Sequence, residues 1–282
     1  MEGADLRAKL KEALRLRGQR RSATNSWVAY SFDVKPGMAI DAVVTDSGGQ
    51  TFALDLATGS LPYETRNVAV FLMYAPDGRT VERGELYNLD RRRNYEGYPV
   101  YWLGHAGIEE SLSLLQEAVL SARDGRTAKR LTEAAAVHNH RSSETALRNI
   151  LYSAADERAR MTAINWLGRV PDGQTYLIET ARDERLGLVL RKRAVAALVE
   201  KTPAPRSLSA LSEVAENPRE SAEMQIEAVR AIGLSNTEGA VPVLIRIAKS
   251  HPSARVRQEA VKQLGRRNEE SAQKFLRELG SN

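Results

Sequence analysis

Four stretches of this chain align on one another, and their spacing restricts the fold more than any other feature. Residues 160–168 (RMTAINWLG), 191–199 (RKRAVAALV), 225–233 (QIEAVRAIG) and 257–265 (RQEAVKQLG) share an alanine column at Ala163, Ala194, Ala228 and Ala260, in steps of 31, 34 and 32 residues. A β-branched column follows at once (Ile164, Val195, Val229, Val261), then a bulky aliphatic column (Leu167, Leu198, Ile232, Leu264). Apolar positions so spaced share one face of a helix. Their recurrence at this period marks stacked helical pairs, each hiding its apolar face against the next. The best copies run over 156–280.

Weaker signals extend the array towards the N-terminus and mark the boundaries of its later copies. From Gly107 the apolar spacing is helical: Ile108, Leu112, Leu115 and Val119 form a stripe that ends near Asp124-Gly125. A further pair is expected over about 127–137 and 143–154. One step back from Ala163 lies Ala134, but His138 then stands where the other copies carry leucine. A degraded copy is expected where an array meets a different neighbour. Asn217-Pro218-Arg219-Glu220 offers an N-cap, a proline at the first helical position and a carboxylate at the third. Ser235-Asn236-Thr237-Glu238 has capping-box spacing ahead of Val241 and Leu244. Asn268 opens the last helix, with Phe275, Leu276 and Leu279 facing inward.

The middle of the chain is of another kind, since twelve of the sixteen aromatic residues lie between Trp27 and Trp102. Val28, Tyr30, Phe32 and Val34 alternate with Trp27, Ala29, Ser31 and Asp33, the period of a half-buried strand. Ile40, Ala42 and Val44 continue it. Ser47-Gly48-Gly49-Gln50 supplies a turn before Phe52, Leu54 and Leu56, and 58–67 reads as a loop. Residues 68–74 are apolar throughout, as in a central strand. Pro76-Asp77-Gly78 turns that strand into 81–89. The expectation is a small, mainly antiparallel sheet of about five strands. Arg91-Arg92-Arg93, followed by Tyr95, Tyr98, Tyr101 and Trp102, has the interleaving that holds single-stranded nucleic acid. Asp90 and Glu96 flank it in an acidic segment, so we read a solvated turn, then 98–103 packing the sheet against the helices.

Charge limits the partners. The net charge is +5, with residues 1–23 at +4, 24–106 at −3 and 107–282 at +4. The basic excess is therefore densest in a short N-terminal segment and does not form a stripe along the array, where a nucleic-acid reader would need it. Residues 1–21 read as an amphipathic helix with Leu6, Leu10 and Leu14 on one face and a basic remainder, ended by Gly18. We read it as docked by its leucines, with weak peripheral contact to an anionic membrane as the other reading. It lacks the uncharged core of a signal peptide. No apolar run is long enough to span a bilayer. The compartment reads as cytoplasmic, or as exported if a leader is removed before Glu2. There are no cysteines, which excludes disulfides and thiolate sites.

The repeat resembles a known family. Val256-Arg257, Ala260 and Leu264-Gly265, with Leu190-Arg191, Ala194 and Leu198, and Ala159-Arg160, Ala163 and Leu167-Gly168, resemble the HEAT-like repeats of the short bacterial kind first described in phycobilisome lyases. With the aromatic segment before it, the chain also resembles uncharacterised bacterial HEAT-repeat proteins, which adds no activity. The resemblance implies an α+β chain: a C-terminal α–α superhelix, or HEAT-like solenoid, preceded by a small, mainly antiparallel β domain. The expected division is a basic helix over 1–24, a β domain over 25–106 and helical repeats over 107–282.

Such arrays mostly serve as binding scaffolds, and the expected function is a non-enzymatic scaffold that presents its concave face to a protein partner. The expected surface is Trp166, where the other copies carry Ala197, Ala231 and Gln263, together with Gln174, Glu179, Arg246, Gln273 and Arg277 from the second helix of each pair. For Trp166, packing is the favoured reading. The recurrent Arg160, Arg191 and Arg257, broken by Gln225, read as bonds to carbonyls or acids of the adjoining repeat. His138-Asn139-His140 ends a helix, so its histidines do not share a face as in a strand. No histidine–glutamate pair matches the di-iron hydroxylases built on HEAT repeats. No phosphate loop or nucleophilic triad can be drawn, and no cofactor is expected. Two alternatives are a DNA-binding or DNA-glycosylase-like HEAT protein and a relative of the bilin lyases.

Overall fold

The computed structural model describes residues 5–18, 24–38, 40, 65–170, 173–199 and 205–280. It forms two compact units, Met1–Ala163 and Ile164–Asn282. The first contains α1 (Leu6–Gly18), β1 (Ser26–Phe32), β2 (Val68–Tyr74), β3 (Val81–Asn88), β4 (Val100–His105), α2 (Ile108–Leu120), α3 (Gly125–Ala136), α4 (Ser142–Ser153) and most of α5 (Glu157–Leu167). The second contains the end of α5, then α6 (Gly173–Arg182), α7 (Leu188–Ala197), α8 (Pro205–Glu216), α9 (Ala222–Leu234), α10 (Ala240–Ser250), α11 (Ala254–Leu264) and α12 (Glu270–Gly280). The class is α+β, a small mixed sheet followed by a run of helices.

The sheet order is β3-β2-β1-β4. β1–β2 and β2–β3 are antiparallel, as expected, but β4 runs parallel to β1, with Trp27 opposite Val100. This corrects the reading of 98–103 as packing alone. The segment is β-prone and pairs with the free side of β1, because residues 89–99 are long enough to carry the chain from one sheet edge to the other. Four strands lie among the described residues. The strands expected over 40–44 and 52–56, the turn at 47–50 and the loop to residue 64 lie outside them, apart from Ile40.

β1 is buried on both faces, which corrects its half-buried reading. Its alternation separates two apolar faces, not an apolar face from a wet one. One face carries Trp27, Ala29, Ala69, Phe71 and Met73, with Tyr87 and Tyr98 packed on it. On the other, Gly84 of β3 meets Leu131 of α3, and the Tyr30 and Ser111 hydroxyls share a hydrogen bond of 3.2 Å. At the Pro76-Asp77-Gly78 turn Gly78 takes φ +68°, and the Asp77 carboxylate accepts from Thr80 and Arg79.

The degraded repeat position His138 lies at the end of α3, fully buried and stacked on Phe32 with centroids 3.9 Å apart. Its Nδ1 bonds the Ala134 carbonyl at 2.8 Å and its Nε2 bonds Ser111 Oγ at 2.7 Å. Lys35 donates from Nζ to the Ala136 carbonyl at 2.9 Å, a cation on the C-terminal end of α3. Burial, with the nearby Lys35 charge, lowers the His138 imidazole to about 4. In the unfolded chain it titrates near 6.5. Between those values the unfolded state binds more protons, so stability falls as pH drops from 6.5 towards 4, by about 3 kcal/mol in all. His138→Gln is expected to flatten that slope in urea unfolding followed across pH. A slope identical to the parent's would assign the proton elsewhere.

The second unit has two layers. α7, α9 and α11 pack in sequence in one, and α6, α8, α10 and α12 in the other, with α6·α7, α8·α9 and α10·α11 joining them. Ala163, Ala194, Ala228 and Ala260 are all fully buried, so a methyl group is what the close approach admits. Two helix starts differ from expectation. α9 begins after Ser221, whose hydroxyl accepts from Met224 N at 3.2 Å, while Asn217 closes a turn onto Arg219 N. α10 begins after Gly239 at φ +94°, and Ser235 accepts from Thr237 N instead of capping the helix. In both, a short side chain bonds the backbone two residues on, the local competitor of an N-cap.

Candidate functional site

The arginine column does one thing in every copy, on the first helix of each pair. Arg160 Nε donates to the Leu151 carbonyl at 2.8 Å, Arg191 Nε to Ala181 at 2.9 Å, and Arg257 NH1 to His251 at 2.7 Å. Gln225, which breaks the column in sequence, donates from Nε2 to the Asn217 carbonyl at 2.8 Å. Each reaches the C-terminal end of the preceding helix, where carbonyls lack intrahelical partners. Arg191 also pairs with Glu220, both side chains being 9% exposed. The column is a structural ladder.

The second-helix layer presents different chemistry. A cavity of about 470 Å³ opens between α6 and α8, lined by Gln174, Ile178, Glu179, Arg182, Arg206 and Glu213 among others. Arg182 pairs with Glu213 across it. One repeat further on, Arg246 of α10 grips Glu216 of α8 through Nε and NH2, at 2.9 Å each, and bonds Ser212 at 2.8 Å. These pairs are exposed and contribute little to stability, on the order of 0–1 kcal/mol each. Their effect is to fix a polar face of mixed sign with Ile178 set into it.

The expected surface residues are distributed unequally. Gln174 and Glu179 line the same cavity, and Arg246 lies along the same layer. Gln273 and Arg277 lie on α12, where Gln273 donates to the Arg267 carbonyl at 2.7 Å and Arg277 to the Gln273 carbonyl at 3.4 Å. Trp166 is 5% exposed, with the Arg169 guanidinium 5.5 Å from its ring centre. It belongs to the packing, the reading favoured for it. Arg182, Arg206 and Glu213 were not singled out in sequence. The signal was present, since 174, 178 and 182 recur on one face of α6, as do 206, 209 and 213 on α8.

The Arg91-Arg92-Arg93 run divides. Arg91 and Arg92 are exposed, but the Arg93 side chain is only 6% exposed and lies among aromatic rings. The reading of a wholly solvated turn is corrected at that residue. His138 and His140 diverge: the former is enclosed, and the latter bonds Ser142 at the surface. Among the described residues no group of three or more histidine, cysteine or carboxylate side chains is placed to hold a metal ion. Among them, too, no helix is long and apolar enough to cross a membrane.

A search of curated proteins finds no match. Among solved structures the chain is similar to human deoxyhypusine hydroxylase in complex with glycerol, at 16% identity and a TM-score of 0.27. The similarity covers 59% of this chain and 65% of that one, so it spans less than two thirds of the neighbour's length. Residues 208–282 match the family model of HEAT repeats. That match falls on α8 to α12, the part of the array whose two layers are described above, and it supports a HEAT-like reading of those helices.

Proposed function

We propose that the chain is a non-enzymatic scaffold whose repeat domain, 107–282, receives a protein partner on its second-helix, concave face. The observation that carries this reading is the α6–α8 cavity, with cations (Arg182, Arg206), carboxylates (Glu179, Glu213) and the aliphatic side chains of Ile178 and Ala210 along its walls. A face of both signs fits a polypeptide with complementary charges and an apolar anchor. A nucleic-acid backbone would call for one sign along the whole face.

The test uses a charge-reversed double variant, Glu179→Lys with Arg206→Glu, on rims where substitution leaves the fold intact. The parent chain, cross-linked in host lysate, is expected to retain one defined protein that the double variant loses by at least tenfold. Equal retention by both would remove the α6–α8 face from the interface. Duplex DNA is expected not to bind at low salt. Tight binding that weakens steeply with salt would replace this reading with the DNA-binding one.

A further inference from the structure

The sheet face turned away from α2 and α3 carries an arrangement that a scaffold does not require. Phe71 of β2 stands opposite Glu85 of β3 in register, and Trp27 and Tyr87 flank them on β1 and β3. The Arg93 guanidinium lies 4.2 Å from the Phe71 ring centre, 4.6 Å from Trp27, 4.6 Å from Tyr87 and 5.6 Å from Tyr95. Its NH1 is 2.7 Å from Glu85 Oε2. Three of the four rings and the carboxylate stand on adjacent strands, where pairing fixes their positions. Arg93 and the fourth ring, Tyr95, stand on the crossing segment 89–99, in which Asp90, Arg91, Arg92 and Asn94 are exposed.

We infer that Trp27, Phe71, Tyr87 and Glu85 form a binding cage for a guanidinium group presented from outside, and that Arg93 is its internal occupant. Aromatic faces attract a cation most strongly when it is desolvated, and a flat guanidinium stacks on them as an ammonium does not. Glu85 supplies the counter-charge. Its other oxygen, Oε1, is held at 2.8 Å by Arg83, which stands on β3 beside it and not on the crossing segment. The carboxylate thus stays aimed into the cage when Arg93 leaves, and the vacated Oε2 accepts the incoming group. The occupant is tethered by a short loop, so it competes at high effective concentration. It lowers the apparent affinity for an external guanidinium by the fraction of molecules in which the loop is out.

The three indole N–H resonances give the readout, with the Trp27 signal identified through Trp27→Phe. Titration of the parent chain with Nα-acetyl-arginine methylamide is expected to move the Trp27 signal saturably, while the capped lysine analogue does not. Arg93→Ala, or Arg93→Gln if the alanine variant does not fold, is expected to bind the probe at least tenfold more tightly. Adding Phe71→Leu to either variant is expected to abolish binding. Free arginine separates the two sources of guanidinium. Tighter binding of the capped form assigns a polypeptide side chain, and tighter binding of the free amino acid assigns a small molecule. A Trp27 signal unmoved in both parent and variant, an equal response to the lysine analogue, or no gain on removing Arg93 would each overturn the inference.

Discussion

Gly84→Val is expected to destabilise the N-terminal unit by about 3 kcal/mol. A Cβ built on Gly84 falls 2.4 Å from Leu131 Cδ2 and 2.6 Å from its Cγ, where no side chain fits. Leu131 is fully buried on α3 and has nowhere to retreat. The sheet must therefore part from the helix or Leu131 must leave its rotamer, and either loses contacts on both surfaces. Leu131→Ala alone is expected to cost about 2–5 kcal/mol through the cavity it leaves. The two side chains compete for one space, so the double variant should unfold in urea well above the stability obtained by adding the single losses. Strict additivity would show that they do not share it.

Arg191→Ala is the second large effect expected, about 3 kcal/mol. The substitution strips a hydrogen bond from the Ala181 carbonyl and leaves the enclosed Glu220 carboxylate without its cation. Leaving a buried charge unpaired costs more than forming the pair ever contributed. Arg191→Leu combined with Glu220→Leu should accordingly recover much of the loss. Arg257→Ala makes the comparison: that guanidinium bonds two carbonyls, His251 and Pro252, so about 1 kcal/mol is expected. Urea midpoints for the two alanine variants would test the ranking, and a larger effect at Arg257 would reverse the assignment of Arg191 as the anchored rung.

The array was legible because its constraint is local and repeated. Alanine where helices touch, a β-branched residue after it and leucine beyond it recur because each repeat meets the same neighbour, and the match to HEAT repeats falls on the regular end. The arginine ladder was legible in chemistry but not in membership, since Gln225 reaches a carbonyl as an arginine does and only geometry reveals the equivalence. β4 was missed for a different reason. Its pairing with β1 depends on where residues 89–99 carry the chain, and alternation within 98–103 contains nothing about that. Arg93 was hidden by its neighbours, because three consecutive arginines read as one solvated feature whereas only the third points under the rings. On the repeat face, Gln174 and Glu179 were singled out by their position on second helices, and both line the α6–α8 cavity. Arg206 and Glu213 share one face of α8 in sequence, but only the pairing of α6 with α8 brings that face to the same cavity.

The parallel pairing of β1 with β4 also sets a schedule. Trp27 waits for Met73 before its first neighbouring strand exists and for Val100 before its second. At ordinary synthesis rates the intervening 73 residues take roughly 4 to 15 s to appear. Over that interval β1 waits without the strand that closes its second edge, whereas the later helices meet their partners within a few tens of residues. Contacts between distant residues form slowly and those between near ones quickly. The N-terminal unit is thus made first and completed late, and its exposed first strand is where a nascent chain most needs shelter from aggregation.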